Sequence, residues 1–197
     1  EEDVAVRVVE PVAVDLTTNE AELYSAIYQW QLDRAEARNM PVDFVGQMPL
    51  RLAGSCLPAA RDSVLRRWQS YEDDFVDPDE YEIDNDATPP VEVVEAAEAL
   101  GEVDTKFDKF VERLRSTVDQ GRKVLVFSFF LSAIEYLNGR LASEFRVAAI
   151  SGQVKPEERR DLIRRFRNNE FDVMIASRVI SEGLDFEFCS AVANYDL

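Results

Sequence analysis

Ser177, Arg178, Glu182, Gly183 and Asp185 stand within one short stretch of a 197-residue chain. They follow Met174-Ile-Ala, an apolar segment of strand character. A strand end there would set a hydroxyl, a cation, a glycine backbone and carboxylates along one edge of a sheet. In α/β proteins, ligands bind outside the carboxyl ends of the strands. Gly183 would let the backbone approach a ligand closely, and Asp185 could accept hydrogen bonds from ribose hydroxyls. Glu182 reads as a residue that orients the loop rather than an acid–base catalyst. The same residues also fit an ordinary strand–loop connection, because short motifs match by chance.

The preceding residues supply elements that would position this loop. Gly121 to Phe130 reads as a turn, a buried strand and a polar strand end at Ser128. Ser132 to Ala142 carries Ile134, Leu137 and Leu141 at helical spacing. Arg146 to Ile150 is a second strand, ending in Ser151-Gly152. Pro156 opens a helix where its missing N–H costs nothing, Glu157 and Glu158 suit the dipole of its first turn, and Leu162, Ile163 and Phe166 form its apolar face. Asp172 to Ala176 and Ala191 to Tyr195 complete four strands. Alternating strands and helices with short connections predict an α/β fold with a parallel sheet covered by helices. Ser128, Ser151-Gly152 and Ser177-Arg178 would then lie along one rim, a row of small donors and a cation suited to phosphates.

The first 70 residues read as an initial strand followed by helices. Thr18 or Asn19 would cap a helix holding Leu23, Ile27 and Trp30. Leu50, Leu52 and Leu57 begin a second helical region, broken at Pro58 and continued by Val64, Leu65 and Trp68. The aromatics sit at helical spacing, which favours packing over stacking on bases.

A net charge of −17 argues against nucleic acid until its distribution is read. Fourteen acids and no lysine or arginine fall between Trp68 and Thr105, so the rest of the chain is nearly balanced. Residues 71–103 are expected to be an acidic, flexible insertion, in which Val93, Val94, Ala97 and Leu100 could make one short helix. Arg159, Arg160, Arg164, Arg165 and Arg167 cluster after Lys155, as a phosphate patch or a solvated helix face. The apolar fraction of 46% supports a real core. Histidine is absent, and Cys56 and Cys189 are the only cysteines. That removes Ser–His and Cys–His catalysis, leaves no zinc set and implies reduced thiols. No apolar run is long enough to span a bilayer, so no membrane role is expected. Asp79-Glu80-Tyr81-Glu82 lies in an acidic loop, not a buried strand, and is not read as a magnesium-binding box. No catalytic residue and no resident metal site is assigned.

Here the chain resembles a known family. Residues 104–197 look like the second RecA-like lobe of superfamily-two helicases, of the Swi/Snf-like DNA translocase type. Lys123-Val-Leu-Val-Phe-Ser128 is similar to motif IV, and Ser151-Gly152 with Arg159, Arg160 and Phe166 to the segment after it. Ser177 through Asp185 resembles motif V, and Tyr195-Asp196-Leu197 the strand before the family's Trp-Asn-Pro turn. Val12 to Thr18, Glu22 to Tyr24 and Ile27 resemble the stretch leaving the first lobe. Leu50 to Pro58 is similar to the segment joining the lobes. Swi/Snf members usually carry glycines at the positions of Ile180 and Ser181, and often asparagine at that of Asp185, which is closer to the broader helicase pattern.

The resemblance implies a division into 1–70 (end of a first lobe and helical linker), 71–103 (insertion) and 104–197 (C-terminal lobe). It implies one wall of a cleft for ATP with Mg²⁺, with Glu182, Gly183 and Asp185 meeting the nucleotide. Ser128, Ser151, Gly152, Ser177 and Arg178 would line the nucleic-acid track. The implied partners are double-stranded DNA, with RNA as the other substrate, and the first helicase lobe of the same protein. The implied compartment is the cytoplasm or nucleoid, or a nucleus. The chain contains neither a phosphate-cradling Gly-x-x-x-x-Gly-Lys-Ser/Thr loop nor the family's Gln-x-x-Gly-Arg-x-x-Arg motif. It therefore reads as a piece of a larger enzyme, expected to be inactive alone. The competing reading is a non-catalytic module that recruits a protein partner through its acidic segment.

Overall fold

The computed structural model describes residues 9–41, 47–69, 88–177 and 188–196. Among the described residues four helices come first: α1 (Thr18–Ala37), α2 (Gln47–Ser55), α3 (Leu57–Gln69) and α4 (Val91–Leu100). Then follow α5 (Thr105–Asp119), β1 (Val124–Ser128), α6 (Leu131–Leu141), β2 (Val147–Ile150), α7 (Pro156–Arg167), β3 (Val173–Ser177) and β4 (Ala191–Asn194). The strands form one sheet in the order β2-β3-β1-β4, and every pairing is parallel. This is the expected α/β architecture, a RecA-like sheet flanked by helices and preceded by a helical region.

Alternation along the strands divides the core. Val124 and Val126 of β1 and Val173 and Ile175 of β3 face a large cluster with the side chains of α1 to α6. Leu125, Met174, Ala176 and Ile150 face the other side, where α7 contributes Phe166. Phe166 is the single fully buried residue of α7, while Leu162 and Ile163 are partly buried against the same cluster. The early helices share the sheet's core rather than forming a separate one. Cys56 lies in it, and burial pushes its thiol up to about 12, too high for a thiolate nucleophile at neutral pH.

Several local expectations need correction. Residues 9–17 form no strand, and Val12 and Leu16 are exposed because no neighbouring strand covers them among the described residues. The cap of α1 is Thr17, one residue before the expected pair: its hydroxyl accepts from the Glu20 N–H, and Glu20 reaches back to the Thr17 N–H at 2.7 Å. The break between α2 and α3 falls at Cys56, and Pro58 sits in the first turn of α3, where proline is tolerated. Val91–Leu100 is a helix on the expected residues, but it is not part of a flexible insertion. Val93, Val94, Ala97 and Leu100 are buried, and α4 packs on α1 and α3. Residues 71–87 lie outside the described residues.

Glu20 ties this helical region to the lobe. It is buried, and besides Thr17 its carboxylate accepts from the Thr105 N–H at 2.8 Å and the Thr105 hydroxyl at 3.0 Å. One carboxylate thus satisfies orphan N–H groups at the starts of both α1 and α5, where helix dipoles favour negative charge. Burial alone would raise its pKa, but the Thr17 and Thr105 donors together outweigh it and the value is lowered. Asp104, the cap of α5, moves the other way: burial raises its pKa despite donors from Phe107 N–H at 2.9 Å and the Tyr136 hydroxyl at 2.8 Å.

A lowered carboxylate pKa gives stability that is present above the ordinary carboxylate range and lost as pH falls through the folded value. Glu20→Gln should therefore cost about 1–2 kcal/mol at neutral pH. Protonation of Asp104 relieves its burial on acidification, so the informative quantity is the difference between the two proteins. Paired chemical denaturation from neutral pH down to pH 3 measures it. The difference should shrink towards zero at the acid end; a constant gap would show that Glu20 acts by shape rather than charge.

Candidate nucleic-acid interface

The parallel register brings the small polar residues to one edge. Ser128 and Ser177 are register partners at the carboxyl ends of β1 and β3. Ile150 pairs with Ala176, so Ser151 follows at the end of the adjacent β2. The rim therefore runs Ser151, Ser177, Ser128 across three neighbouring strands. Strand ends and helix starts share this edge, because the turn at 151–155 leads directly into α7.

The three serines are not equivalent. Ser177 is half-buried at the end of β3, and Gly152 is exposed in the turn. Ser151 is mostly buried; its hydroxyl accepts from the Gln153 N–H at 3.4 Å and its carbonyl from the Val154 N–H at 3.1 Å, which shapes the turn. Ser128 does not face the surface. It is fully buried, and its hydroxyl donates to Asp196 Oδ1 at 3.0 Å. The expectation that Ser128 lines a ligand track is corrected accordingly: it supports the rim from beneath. Arg178, Glu182, Gly183 and Asp185 lie outside the described residues.

Asp196 was not singled out as a functional residue by sequence reasoning. Its carboxylate also accepts from the Phe129 N–H and from the Ser55 hydroxyl. One side chain after β4 thereby joins the end of β1 to the end of α2. Lys106 of α5 completes the joint, donating to the carbonyls of Ser55 at 2.7 Å and Gly54 at 3.3 Å, with its ammonium over the Tyr195 ring at 4.6 Å. Burial lowers the Lys106 pKa, and neighbouring Asp196 works against that shift. A cation at the last carbonyls of a helix is favoured by the dipole. The signal in the sequence was a lone aspartate directly after an apolar strand.

The arginine cluster divides along α7. Arg164 and Arg165 are paired with Asp161 and Glu170, and Arg167 stacks over Phe188 at 4.9 Å. Arg165 and Arg167 sit at the far end of α7, beside the amino-terminal edge of the sheet. Arg122 and Lys123 also occupy that edge, bonded to the carbonyls of Ser190 and Arg167. Near the rim, Arg159 folds back onto the Val154 carbonyl at 3.2 Å. Lys155 and Arg160 are exposed, and neither makes an ion pair or side-chain hydrogen bond among the described residues. Glu157 and Glu158 occupy the first turn of α7, so that helix start is a poor anion site. Two of these arginines are thus paired with carboxylates, and the basic character of the rim rests on a few residues. No helix among the described residues is long and apolar enough to cross a membrane.

Comparison with known proteins gives the site its context. Residues 105–197 match the family described as "Helicase conserved C-terminal domain". The chain is 31% identical over 86 residues to "DEAD-box ATP-dependent RNA helicase 14" of Arabidopsis thaliana, covering 44% of this chain and 14% of that protein. It spans well under a third of the length of the curated relatives it matches. In fold it is similar to the Hef helicase domain of Pyrococcus furiosus, with a TM-score of 0.62 at 17% identity, covering 94% of this chain and 49% of that one. The SWI2/SNF2 ATPase core of Sulfolobus solfataricus, solved in complex with double-stranded DNA, gives 0.61 at 15% identity, covering 93% and 33%. Residues 105–197, a little under half of the chain, thus match a helicase conserved C-terminal domain, and the parallel sheet with its flanking helices has the RecA-like fold of these helicase and ATPase structures.

Proposed function

We propose that this chain contributes the C-terminal helicase lobe of an ATP-dependent DNA translocase or helicase, forming one wall of the ATP cleft and part of the nucleic-acid track. The observation that carries the reading is the alignment of Ser151, Gly152 and Ser177 at the carboxyl ends of adjacent parallel strands in a helicase C-terminal domain. Ser177, Ser151, Gly152 and Arg178 would contact the nucleic-acid backbone, with Ser128 holding the rim through Asp196. Glu182, Gly183 and Asp185 would meet the nucleotide. ATP with Mg²⁺ would be held mainly by the first lobe of the same protein, since the chain has no phosphate-cradling loop. The preference for duplex DNA over RNA rests on resemblance to Swi/Snf-like translocases. A second reading, a RecA-like module that recruits a protein partner, draws on the exposed carboxylates of Glu92, Glu95 and Glu98 on α4.

Two experiments test the proposal. Purified alone, the chain should hydrolyse ATP no faster than background, with or without DNA; sustained DNA-stimulated turnover would contradict its reading as half of a catalytic cleft.

The second is DNA affinity, where opposite charges compete. Acidic residues repel phosphate over about a Debye length, roughly 8 Å at physiological salt. Non-specific binding even by well-equipped proteins reaches only about 10⁻⁴ to 10⁻⁶ M there, so the chain should show no detectable binding. Deleting all of 71–103 would remove the buried face of α4, so the charge test belongs to residues 71–87. Replacing the Asp and Glu residues of that segment with Asn and Gln should strengthen binding at low salt in an anisotropy titration. Adding Arg178→Ala should weaken it again and reduce the salt slope by about one ion. If neither change moves the affinity, the assignment of this rim to nucleic acid loses its support.

A further inference from the structure

We propose that Arg51, on the linker helix α2, is a further nucleic-acid phosphate contact, delivered to the carboxyl rim of the lobe by stacking on Phe129. The proposal rests on the reading of that rim as a nucleic-acid track and extends it to a residue outside the helicase domain itself.

Phe129 directly follows Ser128 at the end of β1, so it sits on the rim next to the register partner of Ser177. The Arg51 guanidinium lies over the Phe129 ring, 4.7 Å from its centroid. Arg51 is exposed, and no carboxylate or carbonyl among the described residues takes its N–H groups. A guanidinium with one face on an aromatic ring keeps its in-plane donors turned outward, a geometry matched to phosphate oxygens.

This placement is enforced rather than incidental. Ser55 follows Arg51 by one helical turn, on the same face of α2. Its hydroxyl donates to Asp196, the carboxylate that also holds the Phe129 N–H and the Ser128 hydroxyl. Lys106 fixes the last carbonyls of the same helix. The ring also makes an edge contact with Phe130 at 5.2 Å. Thus the elements that bear the cation and the ring meet at one aspartate, and the pair is pre-organised before any ligand arrives. The contrast with α7 is informative: Arg164 and Arg165 are neutralised by neighbouring carboxylates, whereas Arg51 is positioned by a ring that leaves its charge available.

The test uses the full chain at low ionic strength, with a fluorescein-labelled duplex DNA read by anisotropy and a fluorescent ATP analogue read in parallel. Arg51→Ala should weaken duplex binding about 3- to 10-fold and lower the salt slope by about one ion. Arg51→Lys should restore the slope but only part of the affinity, because an ammonium lacks the planar fork. Phe129→Leu, which keeps an apolar side chain, should weaken binding while leaving the slope intact. Thermal melts check that each variant is folded, and Arg51, being exposed, should not change them. Arg178→Ala serves as the independent probe of the rim. If Arg178→Ala weakens binding and Arg51→Ala does not, this proposal fails while the rim reading survives. If Arg51→Ala alters only the ATP analogue, the residue contacts nucleotide and the proposal is overturned. If the wild-type chain binds no duplex even at low salt, both readings fall together.

Discussion

The carboxylate of Asp196 is the contact on which the geometry of the rim depends. It accepts hydrogen bonds from the Ser55 and Ser128 hydroxyls and the Phe129 N–H, groups drawn from a helix of the early region and from the central part of the sheet. Buried donors of this kind cost about 1–3 kcal/mol each when left unpaired. Losing one acceptor would therefore strand several at once. The neighbouring ammonium of Lys106 does not take up the carboxylate's lone pairs. It is engaged by the carbonyls of Gly54 and Ser55 and faces the Tyr195 ring. The joint consequently fixes α2, the end of β1 and the start of α5 with one charge of each sign. Glu20 performs a matching task one residue away on α5, where it serves the starts of α1 and α5. Two carboxylates thus account for much of the polar attachment between the early helices and the lobe.

Features set by periodicity were legible in the sequence. The four strands, the helix on Ile134, Leu137 and Leu141 and the helix opened by Pro156 each follow from a local pattern, and each is present within a residue or two. The row of strand ends was legible for the same reason, since parallel strands joined by helices must end on one edge. The caps were less so. Thr17, Thr18 and Asn19 are all good capping residues, and only the Glu20 side chain, three residues after Thr17, decides among them. A capping-box reading of Thr17 and Glu20 would have found it.

What escaped the sequence is what depends on distant partners. Ser128 looks like a surface donor at a strand end, but its burial is set by Asp196, which is remote in the chain. The arginines after Pro156 look like a basic patch until Asp161, Glu170 and Phe188 are placed beside them. In α4 the acidic composition concealed a structural role. Val93, Val94, Ala97 and Leu100 were recognised as an apolar stripe, yet the run of carboxylates around them suggested solvent. A helix can hold both, because the stripe needs only one face.

The distribution of free cations bears on how such a lobe would work. At the amino-terminal edge of the sheet, Arg122, Lys123 and Arg146 are bonded to carbonyls or carboxylates of the chain. At the carboxyl edge, Lys155 and Arg160 remain exposed and Arg51 is held by a ring. Charge is therefore used for cohesion on one edge and kept available on the other. Because each neutralised phosphate adds a roughly equal increment to salt-dependent affinity, a rim with so few cations would bind weakly by itself. In the proposed two-lobed enzyme that weakness is useful. A lobe that must release and re-engage the backbone as the cleft opens and closes needs contacts that add up to tight binding only when both lobes engage. A densely basic rim would hold on through the whole cycle. The arrangement around Asp196 is consistent with that requirement, since it spends structural rigidity, rather than extra positive charge, on making each contact count.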